Sequence, residues 1–91
     1  MKYFNAEELA QITGGMLNKV DDVKVCRLMP PLLADEETLA LALNEEEIGN
    51  LSRTKAKIAI VPLGATPDNI TSIEVERPRL AMMKLLTVFY K

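Results

Sequence analysis

The sequence predicts a small α/β domain: a mixed sheet of about five short strands with flanking helices, containing a βαβ unit. Three observations carry that expectation. Thr38 to Leu43 sets Leu39, Leu41 and Leu43 on one face of a strand and Ala40 and Ala42 on the other. Both faces are apolar, as in a strand covered on both sides, so its place is central in the sheet. A helix from Glu45 to about Thr54 and a second apolar strand, Lys57 to Pro62, follow. Strand, helix, strand is a βαβ unit, for which a right-handed crossover is expected. Finally, a strand ending at Val75 gives way at Pro78 to a helix that runs to Lys91 and is apolar around most of its circumference.

The elements follow in order. Asn5 with Glu8 three residues on is a capping-box pattern, so a helix begins there and turns Ala6, Leu9 and Ile12 inward. Gly14-Gly15 stops it, because glycine adopts the left-handed cap conformation without a Cβ penalty. Met16 to Asn18 is a short strand, Asp21-Asp22 a turn, and Val23 to Leu28 alternates as a half-buried strand. Met29 to Glu37 is a loop, since Pro30-Pro31 cannot continue a sheet ladder. The helix after Asn44 buries Ile48 and Leu51. Leu63 to Asn69 is a loop, Ile70 to Val75 the last strand, and Pro78 opens the closing helix. On that helix Arg79, Lys84, Thr87 and Lys91 form one narrow polar stripe; Leu80, Met82, Met83, Leu85, Leu86, Val88, Phe89 and Tyr90 fill the other sides.

Ninety-one residues make one domain, 1–91, with a modest core. A net charge of −2 offers nucleic acid no electrostatic attraction, and two Tyr, two Phe and no Trp leave few stacking platforms, so no nucleic-acid partner is expected. No apolar run reaches 18 residues, so no membrane span is expected, and the polar N-terminus is unlike a secretory signal; a cytoplasmic protein is the expectation. The single cysteine, Cys26, forms no internal disulfide and reads as a small buried or half-buried thiol on a strand.

Residues that carry chemistry are scarce. The chain has no histidine, which removes the commonest general base and metal ligand. No glycine loop opens a helix as a phosphate cradle would. Asp35 to Glu37 and Glu45 to Glu47 are acidic, but the second run complements a helix N-terminus and neither has metal-ligand spacing. No catalytic residue, metal or cofactor is expected from this chain.

The wording of the closing helix carries a family resemblance. Glu76-Arg-Pro-Arg-Leu-Ala-Met-Met-Lys-Leu-Leu-Thr-Val-Phe-Tyr resembles the last helix of the N-terminal, non-repeat domain of UDP-3-O-acylglucosamine N-acyltransferase, a lipid A biosynthesis enzyme. Leu39-Ala-Leu-Ala-Leu-Asn-Glu-Glu-Glu-Ile, Leu51-Ser-Arg-Thr-Lys-Ala and Ile58-Ala-Ile-Val-Pro are similar to successive pieces of the same domain. The resemblance extends in fold to the N-terminal uridine-binding domains of the Mur ligases. It implies a non-catalytic domain that holds the uridine of a UDP-acylglucosamine. The family's catalytic histidine lies in a hexapeptide-repeat β-helix, and that repeat signature is absent from these residues.

In the family a Phe, an Asn and a Tyr at the strand-to-helix corner line the uridine pocket. By position they become Leu41, Asn44 and Glu47, of which only Asn44 is kept. Leu41 has no ring to stack, and Glu47 sets a carboxylate beside an anionic nucleotide sugar. Asn44 also has a purely structural reading as the cap of the following helix, with Glu47 completing a capping box. The closing helix is open between two readings, ordinary core or a partner surface formed by Met82, Met83, Leu86, Phe89 and Tyr90. That surface would serve self-association or a following β-helix domain. The partners to test are therefore a UDP-sugar through its uridine, a second copy, or such a domain. A protein-interaction module without nucleotide binding is the alternative function.

Overall fold

The computed structural model describes residues 2–65 and 67–90. In chain order the elements are β1 (Phe4–Asn5), α1 (Ala6–Thr13), β2 (Met16–Asn18), β3 (Lys24–Val25), β4 (Arg27–Met29), β5 (Thr38–Leu41), α2 (Glu45–Asn50), β6 (Ile58–Pro62), β7 (Thr71–Val75) and α3 (Pro78–Phe89). Short 3₁₀ turns occupy Pro31–Leu33 and Leu51–Arg53. Five strands form a mixed sheet in the order β2-β7-β6-β5-β4. β4, β5, β6 and β7 are mutually parallel, and β2 adds to β7 antiparallel through Leu17 opposite Ile73. The α/β class, the strand number and the parallel β5–α2–β6 unit match the expectation. β5 is an interior strand, but the middle of the sheet belongs to β6.

Strand alternation sorts the core into two layers. Leu28, Leu39, Ile58, Ile60, Ile73 and Val75 face α1 and α3, where Leu9, Ala81 and Leu85 close over them. Removing a leucine side chain from water contributes roughly 1.5–3 kcal/mol, so Leu9, Leu39 and Leu85, all fully buried, are principal ties of this layer. Ala40, Ala42, Ala59 and Val61 face the other way, under Ile48, Leu51, Ala56 and Ile70. These small side chains let Ile48 of α2, Ala65 and Ile70 pack close to the sheet.

Three expectations are corrected. Val23–Leu28 is not one strand: it changes partner at Cys26, whose N–H donates to the Glu37 carbonyl at 2.9 Å. Lys24–Val25 pairs instead with β1 in a two-stranded ribbon, Phe4 opposite Val25. The helix expected to reach Thr54 ends as α-helix at Asn50 and tightens into a 3₁₀ turn that buries Leu51. The closing helix ends at Phe89; Lys91, the last residue of its expected polar stripe, lies outside the described residues, as does Thr66 of the expected loop. Gly14 caps α1 in the left-handed conformation, φ 70°, and Asn5 and Glu8 form the reciprocal capping box. Cys26 is buried, with an Arg27 guanidinium nitrogen 3.7 Å from its sulfur.

Candidate functional site

In an open, mostly parallel sheet, the carboxyl ends of the strands are where connecting loops can converge on a ligand. The corner after β5 stands at that edge. Asn44 is extended (φ −143°, ψ 174°), and its side-chain oxygen accepts the Glu47 N–H at 2.9 Å. The geometry is that of an N-cap, which satisfies one donor that the first helical turn leaves open. The reciprocal carboxylate bond made by Glu8 at α1 has no counterpart from Glu47 among the described residues. Asn44 caps α2 without the expected full capping box. Its carbonyl also accepts the Ile48 N–H at 2.9 Å.

The three residues carried to this corner by position are not equally placed. Asn44 and Glu47 sit together on α2, Asn44 exposed and Glu47 half-buried. Leu41 closes β5 and packs, half-buried, with the Leu39 and Ile60 layer. α2 lies over the opposite, alanine-rich layer. The corner thus offers one amide engaged by the backbone, one carboxylate and one aliphatic side chain turned to the α1–α3 side.

The acidic run before β5 is occupied. Asp35 accepts the Thr38 hydroxyl at 2.7 Å, the Glu37 N–H at 2.9 Å and the Arg27 guanidinium at 2.9 Å. The Thr38 and Glu37 bonds, with Arg27 beside them, hold its carboxyl below the usual carboxylate range. Glu37 accepts the Tyr3 hydroxyl at 2.8 Å, which pushes that phenol up to about 12. Among the described residues no three His, Cys, Asp or Glu side chains gather as a metal site would require.

α3 presents two sides. Phe89 turns inward, its ring 4.8 Å from that of Phe4, and Val88 packs beside it. Met82 is half-buried. Met83 (61% exposed), Leu86 (41%) and Tyr90 (57%) face solvent together with Leu80. The Tyr90 hydroxyl accepts the Leu28 N–H at 3.0 Å, tying the end of α3 to edge strand β4. Of the five residues assigned to a partner surface, Met83, Leu86 and Tyr90 form an exposed stripe, Met82 flanks it and Phe89 belongs to the core. Leu80, read from the sequence as apolar but not assigned to that surface, lies on the same side as Met83 by its spacing.

Another opening lies apart from the Asn44 corner. A groove of about 630 Å³ runs between the α2 end of the crossover and residues 64–65 and 67–70. Ile48 and Leu51 line it, on the same side of the helix as Asn44 and Glu47 by their spacing, but Leu41, Asn44 and Glu47 do not.

Comparison with known proteins agrees with the resemblance. The chain is 34% identical over 83 residues to UDP-3-O-acylglucosamine N-acyltransferase 1 of Gloeobacter violaceus, aligning over 91% of the chain and 24% of that protein. It is 39% identical over 69 residues to UDP-3-O-acylglucosamine N-acyltransferase of Fusobacterium nucleatum, over 72% of the chain and 21% of that protein. The chain therefore spans under a quarter of the length of these curated relatives. No family model matches it. Among solved structures, MurF from Acinetobacter baumannii superposes with a TM-score of 0.73 at 21% identity, over 92% of this chain and 20% of that one. A UDP-N-acetylmuramoylalanyl-D-glutamyl-2,6-diaminopimelate–D-alanyl-D-alanyl ligase from the same organism gives the same score and identity over 92% and 21%. That likeness is one of fold. The chain is related to the N-terminal domain of the N-acyltransferase, and its fold is shared with the Mur ligases.

Proposed function

We propose that this chain is a non-catalytic domain of the N-acyltransferase type, 1–91, whose family role is to hold the uridine of a UDP-acylglucosamine beside a catalytic site located elsewhere. We infer further that its grip on uridine is weak. The names of the curated relatives support the substrate class, and the absence of histidine supports placing the chemistry outside these residues. The observation that carries the weakening is the corner itself. The Asn44 side-chain oxygen is engaged by the Glu47 N–H, Leu41 brings no ring, and Glu47 brings negative charge towards a diphosphate. We place this domain in the cytoplasm, where a UDP-sugar would reach it; no helix of the described residues is long and apolar enough to cross a membrane.

The test is a titration of UMP and UDP-N-acetylglucosamine followed by amide shifts. The parent is expected to show weak or no binding. The double variant Leu41→Phe, Glu47→Tyr is expected to gain it, because stacking on a base contributes roughly 1–3 kcal/mol per base. Tight binding by the parent, or no gain in a folded double variant, refutes the assignment of this corner.

A second reading is favoured by one observation, the solvent-facing stripe of Leu80, Met83, Leu86 and Tyr90. In it the domain is a protein-interaction module whose α3 packs on a second copy or on a β-helix domain of the kind the family carries.

A further inference from the structure

The groove beside α2 has a composition that selects a ligand chemistry. Its apolar lining is aliphatic, with Ile48 and Leu51 from the crossover and Ile70 from the foot of β7. Its polar lining includes Ser52, Asp68 and Asn69. Ser52 donates its hydroxyl to the Gly49 carbonyl at 3.0 Å, which leaves its oxygen lone pairs open. The side chains of Asp68 and Asn69 make no hydrogen bond or ion pair among the described residues. Asn69 is the only described non-glycine residue with positive φ, at 63°. That conformation is costly for a side chain bearing Cβ, although asparagine tolerates it better than most.

Each class of small ligand makes a different demand on such a lining. A phosphate would be repelled by the Asp68 carboxylate, the one charged side chain among the described lining residues, and no described lining cation offsets it. A nucleobase gains most from an aromatic or guanidinium plane to stack on, and none lines the groove among the described residues. A saturated ring with vicinal hydroxyls meets every feature: its O–H groups donate to Asp68, its oxygens and hydroxyls pair with the Asn69 amide, and its C–H face lies on Ile48, Leu51 and Ile70. An apolar floor with a few convergent polar groups is the ordinary form of a small-molecule site. We propose that this groove binds a hydroxyl-bearing ring, a pentose or a hexose, through Asp68 and Asn69. The site is separate from the Asn44 corner and does not depend on uridine binding there.

The experiment titrates isotopically labelled protein with N-acetylglucosamine, ribose, putrescine and UMP in separate series. One or both sugars are expected to move the Ile48, Leu51 and Ile70 methyl signals and the Asn69 side-chain amide. Asp68→Ala should raise the dissociation constant roughly ten-fold, as loss of a hydrogen bond to a charged group does, while the unliganded spectrum reports that the fold is intact. Silence of these signals up to the solubility of both sugars overturns the proposal. So does a stronger response to putrescine, which would mark a cation site. UMP shifts confined to Leu41, Asn44 and Glu47, with the groove silent to sugars, would sink this proposal and leave the uridine reading standing; sugar shifts without UMP shifts would do the reverse.

Discussion

Gly14 and Gly15 read alike in the sequence, yet the structure gives them opposite reasons to be glycine. Gly14 sits at φ 70° with nothing within 4 Å of the position a Cβ would take. Gly14→Ala therefore costs only the left-handed strain, about 1 kcal/mol. Gly15 has no left-handed φ, but a Cβ there would lie 2.5 Å from Ile73 Cγ2, 2.8 Å from the Glu74 carbonyl oxygen and 2.9 Å from Val75 Cγ1. The carbonyl belongs to β7 at the point where Met16 pairs with Glu74, so it cannot rotate away, and relief requires moving β2 off the sheet edge. Gly15→Ala should cost about 3 kcal/mol, the upper part of the range for overpacking, out of a total that for a small domain is about 5–15 kcal/mol. Urea denaturation of both variants decides. Gly14→Asn should recover much of the Gly14→Ala loss, because asparagine tolerates positive φ, whereas Gly15→Asn should be no better than Gly15→Ala. Equal losses for the two alanine variants, or rescue by asparagine at 15, would refute the assignment of sterics to one glycine and conformation to the other.

Asn44→Ala should lower stability by about 1 kcal/mol through loss of the cap on α2; denaturation midpoints that coincide with the parent's would show the side-chain bond to Glu47 to be idle. Glu7, Asp22 and Asp35 titrate below their ordinary values, Glu7 and Asp22 through hydrogen bonds to Lys19 and Asp35 chiefly through the Thr38 hydroxyl. A depressed folded-state pKa stabilises the fold above the unfolded-state value, here 3.8 to 4.5, and that contribution disappears as pH falls through the folded-state values. Stability should thus be level on the acid side of neutrality and decline below about pH 4.5; Asp35→Asn should flatten the decline, and an unchanged acid limb would count against the Asp35 network. Sedimentation over a concentration series should show self-association that Met83→Glu abolishes; a clean monomer at millimolar protein would remove a second copy as the occupant of the α3 stripe.

What the sequence determined by itself is local. The alternation of Leu39, Leu41 and Leu43 with Ala40 and Ala42 specified a strand covered on two sides, and the layers fall as that pattern requires. Asn5, Asn44 and Pro78 mark helix starts and Gly14 a helix stop, because caps involve groups within three or four residues of one another. The Asn44 bond to Glu47 was legible for the same reason. Partners distant in the chain were not. Nothing within Val23–Leu28 says that its first half pairs with Phe4–Asn5 and its second half with β5. Periodicity made α3 apolar nearly all round, but only packing decided that Phe89 meets Phe4 while Met83 faces water. The groove is more remote still. Ile48 and Leu51 come from the crossover and Asp68 and Asn69 from the loop after β6, and only the closure of the parallel sheet brings them together. Hydrophobic spacing records which side of an element is buried, whereas the identity of what covers it is set by contacts that no local window contains.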